Sequence, residues 1–288
     1  MIVSTARKSN ARTLLVAAVP LLVLGLTGCG SGPGSNAPTG PRLNKIIAAL
    51  EEGRPAIAGE DWQFIDMEHQ PFEPVELEAM LLEMGENRDP DGRLSLAPIV
   101  RIPQEGDEDF KWAVKQVLDQ GVQGVALTHV DTGEEAWRFV RAMRYPQTLD
   151  SAYPEPQGER GWGPGRATRL WGLADDVEYH SKADVWPLNP DGELFAVAMI
   201  ESAEAVANIE DILAAPVSAI LMVHSDTSIS MGLGPFGDIE SHPEVEEMYQ
   251  RVLEACKAQD RVICGCAYAR ELHQRRLDEG WQFLLPQG

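Results

Sequence analysis

From residue 43 onward the chain alternates short apolar runs with amphipathic stretches, and this alternation limits the folds open to it. Trp62 to Met67 (WQFIDM), Leu96 to Ile102 (LAPIVRI), Val122 to His129, Phe195 to Ile200 (FAVAMI), Ala219 to Val223 (AILMV), Val262 to Ala267 and Trp281 to Leu285 read as strands. Pro55-Ala56-Ile57-Ala58 is a short eighth candidate, first in chain order. The runs do not switch between apolar and polar residues, as expected of strands covered on both faces. Leu43 to Glu52, Pro74 to Met84, Phe110 to Asp119, Gly133 to Met143, Ala203 to Leu213, Pro243 to Gln259 and Arg270 to Glu279 have helical spacing. In Pro74 to Met84 the apolar set is Val75, Leu77, Met80, Leu81 and Met84. Eight strands, helices between most of them and right-handed crossovers predict an α/β fold, a TIM-type (β/α)8 barrel over 43–288. Almost nothing separates Ala58 from Trp62, so the first βα unit is shortened, and no helix follows strand eight. Residues 147–192, rich in Gly, Pro, Trp and Arg, break the rhythm. A segment that long usually carries function, the alternative being an excursion that packs the barrel rim.

The N-terminus has a different character. Arg7, Lys8 and Arg12 precede an apolar stretch, Leu14 to Leu26, too short to span a bilayer as a stable helix. It ends in Leu26-Thr27-Gly28-Cys29, the pattern of a bacterial lipobox, in which small residues admit a peptidase and the cysteine thiol takes the lipid. Residues 1–28 are therefore expected to be a lipoprotein signal peptide, and Cys29 the lipidated residue. The following GSGPGSNAPTGP has nothing to bury, so 29–42 reads as a flexible tether. The expected location is the bacterial cell envelope, lipid-anchored on the outer membrane or cell surface.

The chain carries 24 basic and 45 acidic residues, and the signal removes three of the basics and no acids. So acidic a surface argues against nucleic acid or anionic lipid headgroups as partners. Of the cysteines, Cys256, Cys264 and Cys266 remain after Cys29. One disulfide with one thiol left over is open to them in an oxidising compartment. Buried free thiols are the preferred reading, with Cys264 and Cys266 sharing one face of a strand.

In a barrel of this kind chemistry sits at the C-terminal ends of the strands. There the sequence places Asp66, Glu68 and His69, then Arg101, Thr128 and His129, Glu201, and finally His224, Ser225 and Asp226. Glu201 and Asp226, from adjacent strands, can hold one Mg²⁺ or Mn²⁺, with water and a chelating substrate completing the shell. Arg101 can neutralise a developing oxyanion. His69 can move a proton near neutral pH. His224 and His129 are extra imidazoles on the rim.

Several segments in order carry a resemblance. They are Ile65-Asp66-Met67-Glu68-His69, Val100-Arg101-Ile102-Pro103, Val117 to Val125, Arg144-Tyr145-Pro146, Gly158-Glu159-Arg160-Gly161, Met199-Ile200-Glu201 and Ser225 to Gly232. Over about residues 43–288 the chain resembles the metal-dependent class II pyruvate aldolases of the 4-hydroxy-2-oxoheptanedioate and 2-dehydro-3-deoxyglucarate type, grouped with the citrate lyase β subunit. The resemblance implies a divalent cofactor (Mg²⁺, Mn²⁺ or Co²⁺) on Glu201 and Asp226. It implies a small 2-oxo acid substrate, such as pyruvate, bound through its carboxylate and keto oxygens and converted to an enolate. It implies His69 as general base, Arg101 as stabiliser of the enolate or aldol oxygen, and Ser225 and Asp226 backbone N–H groups as holders of the substrate carboxylate. Apart from the resemblance, His129 is a candidate substrate contact and either it or His224 could touch substrate or metal, a plain polar contact on the rim being the preferred alternative for both. Asp119 matches an aspartate thought to raise the basicity of the histidine, although its place before strand four is the wrong end of the barrel; Asp66 is the alternative partner for His69. The chain departs from the pattern at Gln70 (usually Gly), at Met199 (usually Gln) and at Val223-His224 (usually Gly-Pro). The family's last helix serves subunit packing, which leaves a homo-oligomer open here.

Two functions compete. One is a carbon–carbon lyase that cleaves or forms 2-oxo acid aldols. The other is a degenerate lipid-anchored barrel acting as a binding or scaffold protein. The retained His69, Arg101, Glu201 and Asp226 favour the first, and the shortened ends the second. A lyase of acyl thioesters ranks last, because an exported protein rarely meets coenzyme A.

Overall fold

A computed structural model describes residues 41–234 and 242–287. The signal segment, Cys29 and the tether through residue 40 lie outside the described residues. No helix among the described residues is long and apolar enough to cross a membrane.

The elements run α1 (Lys45–Glu51), β1 (Ala56–Ile57), β2 (Trp62–Asp66), α2 (Pro74–Glu86), β3 (Ala97–Glu105), α3 (Lys111–Gln120), β4 (Gly124–Thr128) and α4 (Gly133–Met143). Next come α5 (Gly165–Trp171), α6 (Asp176–Lys182), β5 (Val185–Trp186), β6 (Leu194–Ile200), α7 (Ala203–Ala207), α8 (Ile209–Ala214), β7 (Ala219–Met222) and α9 (His224–Ser230). The last are α10 (Pro243–Lys257), β8 (Ile263–Ala269), α11 (His273–Glu279) and β9 (Phe283–Gln287). All pairings between these strands are parallel, in the order β1-β9-β8-β7-β6-β4-β3-β2, with β5 beside β6. Local chemistry sets the boundaries. Thr132 and Glu135 form a reciprocal cap at the start of α4, and Gly121, at φ 108°, ends α3.

The barrel closes in register despite its short first unit. Going round from Trp62↔Ala97, the pairing steps forward two residues at Ala97 to Ile99, Phe195 to Val197, Ile263 to Gly265 and Ala56 to Ala58. It returns to Trp62 through the single bridge Ala58↔Trp62. Those steps amount to a shear of about eight, the value of an eight-stranded barrel of this type.

Period two then divides the side chains. Trp62, Ala97, Ile99, Ala126, Phe195, Val197, Met199, Leu221, Ala267 and Phe283 fill the inside, and Ile46, Ile47 and Ala49 of α1 plug the N-terminal end. The alternate residues, among them Ile65, Val100, Val125, Ile200 and Ile220, meet the helices outside. Gly124 is the narrow point: a Cβ there would lie 2.3 Å from Ile99 and 2.5 Å from the Phe195 carbonyl.

The structure differs from the sequence reading in four places. Residues 147–192 hold α5, α6 and β5, and they form an outer layer. The Trp171 indole donates to the Gly121 carbonyl, and buried Arg144 is clamped by Asp184 and the Tyr153 and Pro156 carbonyls. The expected helix Ala203 to Leu213 is two helices meeting at Asn208, whose side chain is drawn off to the Asp131 carbonyl. A short helix, α9, follows β7 directly. The cysteines are not all free. Cys264 does share the outer face of β8 with Cys266, but α10 lays Cys256 over it, with Cα atoms 5.8 Å apart, and the two are bridged. Cys266 remains a buried thiol.

Candidate active site

The inward set of each strand continues past the apolar core into polar residues at the C-terminal mouth. After Trp62 and Phe64 come Asp66 and Glu68; after Ala97 and Ile99 comes Arg101; after Val197 and Met199 comes Glu201. Strand β3 is irregular between Arg101 and Glu105, where extra residues bulge against β4, a device that re-aims side chains beside active sites.

Arg101 is the centre of the first group. Its Nε and Nη2 donate to Asp66 at 3.0 and 2.8 Å, and its Nη1 lies 2.9 Å from Glu68 Oε2. The guanidinium also sits over the Phe64 ring, 5.3 Å from the centroid. Asp66 Oδ1 accepts the Glu68 N–H at 3.0 Å, which folds the turn after β2. His69 is largely exposed, with Nε2 3.4 Å from Glu68 Oε2. Burial alone would raise the Asp66 carboxyl, but the Arg101 hydrogen bonds and charge outweigh it and hold the group below its ordinary range. Glu68 moves the other way: burial and the nearby Asp66 charge raise it against Arg101 and His69.

Glu201 is the centre of the second group. It is 2% exposed, and its Oε2 accepts the His129 N–H at 2.8 Å. His129, at φ 45°, is the one non-glycine residue in the left-handed region among the described residues. The residue that adopts this conformation is thus the one whose N–H meets the buried carboxylate. Burial pushes Glu201 up to about 7; the His129 N–H opposes this, while the Asp226 and Glu68 charges add to it. Asp226 lies in the first turn of α9 and accepts from the Ser225 hydroxyl at 2.9 Å. The N–H groups at the start of a helix lack intrahelical partners, so those of Ser225 and Asp226 are available to an anion. His224 is pulled below its ordinary value by burial, with its ring held by the Ala267 backbone.

Asp66, Glu68, His69, Arg101, His129, Glu201 and Asp226 thus share one electrostatic neighbourhood. Asp119 does not join it. It lies near the C-terminal end of α3, where Oδ1 pairs with Arg160 Nη2 at 2.9 Å under Gly163. The assigned role for Asp119 beside His69 is therefore not met within this chain. Asp66 faces Arg101 and not the His69 ring. Glu68, named on the rim but given no role, is the residue that touches both Arg101 and His69. Its signal was the inward parity of 62, 64, 66 and 68.

Among the described residues no group of three or more His, Cys, Asp or Glu side chains is arranged to hold a metal ion. A two-carboxylate site needs no such group. The donor chemistry fits a hard divalent cation: Asp66 and Glu68 are already paired with Arg101, and the Glu201 and Asp226 carboxylates, which act on one another electrostatically, are oxygen donors not engaged by that guanidinium's hydrogen bonds.

Comparison with known proteins places the chain in a family. The chain belongs to the HpcH/HpaI aldolase/citrate lyase family, whose description matches residues 52–284. It is 33% identical over 233 residues to a hydroxypyruvate/pyruvate aldolase of Delftia acidovorans, covering 80% of this chain and 74% of that one. It is 34% identical to a protein of the same description from Chromohalobacter salexigens, covering 80% and 78%. The crystal structure of an HpcH/HpaI aldolase from Desulfitobacterium hafniense superposes with a TM-score of 0.67 at 26% identity, covering 83% of this chain and 88% of that one.

Proposed function

We propose that this chain is a metal-dependent aldolase, a carbon–carbon lyase acting on 2-oxo acids, and that it works outside the cytoplasm on a lipid anchor at Cys29. The observation that carries the reading is the mouth itself: a buried Glu201 that feels the charge of Asp226, sharing one field with an Arg101 clamped by Asp66 and Glu68. A divalent ion on Glu201 and Asp226 would supply Lewis-acid polarisation of the 2-oxo group.

The protein's own groups do the rest. The N–H groups of Ser225 and Asp226 hold the substrate carboxylate. His69 takes a proton from C3, and Glu68 keeps the imidazole at the mouth. The C3 electron pair forms the new bond to the aldehyde carbon, and the aldehyde oxygen takes a proton, so addition is proton-neutral. Arg101 faces the oxygen on which charge develops, and because Asp66 holds its fork rigid, little reorganisation is needed. His129 lines the same mouth. Cleavage runs the steps in reverse.

The shortened first unit favours the degenerate reading, but the eight-residue shear and the retained cluster favour catalysis. The test is oxaloacetate decarboxylation and pyruvate C3 proton exchange with Mn²⁺, Co²⁺ or Mg²⁺. Metal-dependent turnover lost in Glu201→Ala supports the reading. No turnover in the wild type with any of the three ions sinks it.

The envelope location rests on the Leu26-Thr27-Gly28-Cys29 sequence and on the Cys256–Cys264 bridge, a bond that persists in oxidising compartments. A Cys29→Ser chain is expected in the soluble fraction, against membrane recovery for the wild type.

A further inference from the structure

The first residues of a domain are ordinarily frayed unless something ties them down. Here they are tied down strongly. Arg42 is 5% exposed and Asn44 is fully buried. Arg42 Nε donates to Glu51 at 2.9 Å, Nη1 to the Gly192 carbonyl at 3.2 Å and Nη2 to the Pro190 carbonyl. The Leu43 and Asn44 N–H groups share one oxygen of buried Glu193, at 3.2 and 2.9 Å. The Asn44 amide donates to the Gln123 and Glu193 carbonyls, both at 3.1 Å, and the Gln123 amide donates to the Leu43 carbonyl at 3.3 Å. The receiving turn is shaped for this: a Cβ on Gly192 would lie 2.3 Å from the Asp184 carbonyl, so no side chain fits there.

The clamp lies at the end of the barrel opposite the mouth. Gln123 precedes β4, Glu193 precedes β6, and Ile46 and Ile47 of α1 plug the core from the same side. Strand β6 gives the scale, since Glu193 stands just before it and Glu201 just after it. At about 3.3 Å per residue and a tilt of about 36°, the strand sets them roughly 20 Å apart along the barrel axis.

Resting on the lipid-anchor reading above, we propose that the N-terminal end of the barrel is its bilayer-facing surface. The mouth opens away from the lipid, held so by the short reach of the tether, and the substrate that meets Glu201 comes from the aqueous phase. From Cys29 to Arg42 the chain extends to roughly 45 Å at most. To lay the mouth on the bilayer, it would have to pass round a helical layer about 10 Å thick and then down the height of the barrel and its rim. Only a chain drawn out almost straight could do so, at nearly the full cost of its conformational freedom. The barrel lends no extra length, because Arg42 and Asn44 are built into its end wall.

Energy transfer from two single positions to an acceptor dye on the headgroups of phosphatidylcholine vesicles measures the orientation in the full-length lipidated protein. Glu52, after α1, and Asp107, after β3, are exposed at opposite ends of the barrel. Cys256 and Cys264 are bridged and Cys266 is buried, so Glu52→Cys and Asp107→Cys each add one accessible thiol for the donor dye. Transfer from position 52 is expected to be at least twofold more efficient than from position 107. Repeating residues 30–41 three times is expected to bring the two efficiencies together. Equal or reversed efficiencies at the native tether length, in protein that floats with the vesicles, overturn the orientation while the anchor stands. An undiminished difference in the lengthened chain overturns tether reach as its cause. A wild-type chain that floats no better than Cys29→Ser overturns the anchor reading and the orientation with it.

Discussion

Arg101 and Asp66 form a two-point pair across adjacent strands, Nε and Nη2 of one meeting the two carboxylate oxygens of the other at 3.0 and 2.8 Å. They are register partners between β2 and β3, so the sheet itself brings them together. A planar fork suits that geometry and an ammonium does not. Arg101→Lys is therefore expected to lose about 100-fold or more in kcat despite keeping its charge. Asp66→Asn should lose about tenfold. Steady-state decarboxylation kinetics check both.

The same pair sets a pH dependence of stability. The fold holds Asp66 below its ordinary range, so the folded state favours the ionised form. The stabilisation is present above the unfolded value, near pH 4, and is lost as pH falls through the lower folded value. Urea unfolding at a series of pH values is expected to show a shallower loss of stability below about pH 4 in Asp66→Asn than in the wild type.

Metal should appear in stability as well as turnover. A ligand bound by the native state alone raises stability with its concentration. Mn²⁺ is expected to raise Tm by several degrees in the wild type and by little in Glu201→Gln or Asp226→Asn. Treatment with EDTA should remove the increment and the activity together, and restored Mn²⁺ should return both.

The Cys256–Cys264 bridge closes a short loop between α10 and β8 on the outer face of the barrel. Its removal is expected to cost about 2–3 kcal/mol of unfolding free energy. Cys256→Ser paired with Cys264→Ala, followed by denaturant, measures this. Metal-dependent turnover should survive, because the bond is away from the mouth.

Trp62 and Phe283 stack inside the barrel with centroids 4.4 Å apart, spanning the position of the minimal β1. Fully buried, Trp62 carries the seam that a normal first unit would otherwise support. Trp62→Ala is expected to cost about 3–5 kcal/mol, and Trp62→Phe clearly less, by equilibrium unfolding.

Much of this protein is legible in its sequence, because the information is local. Apolar runs and helical spacing are properties of contiguous residues, so strands such as Phe195 to Ile200 and the helix Gly133 to Met143 stand out from the residue pattern alone. The same period of two carries Asp66, Glu68, Arg101 and Glu201 to one mouth. Cys29 and its expected lipid also come from the sequence by itself.

What the tertiary structure decided was pairing between distant elements. Closure through Ala58↔Trp62 depends on the register of every strand in between. Asp66 was available to His69 or Arg101, and the β2–β3 register chose Arg101. Asp119 kept its motif but was taken by Arg160 from a segment 41 residues away. Cys256 found Cys264 because α10 lies across β8. Local periodicity is written in neighbouring residues, whereas the partner of a charge or a thiol is set by how packed elements are placed, and no short stretch of sequence contains that.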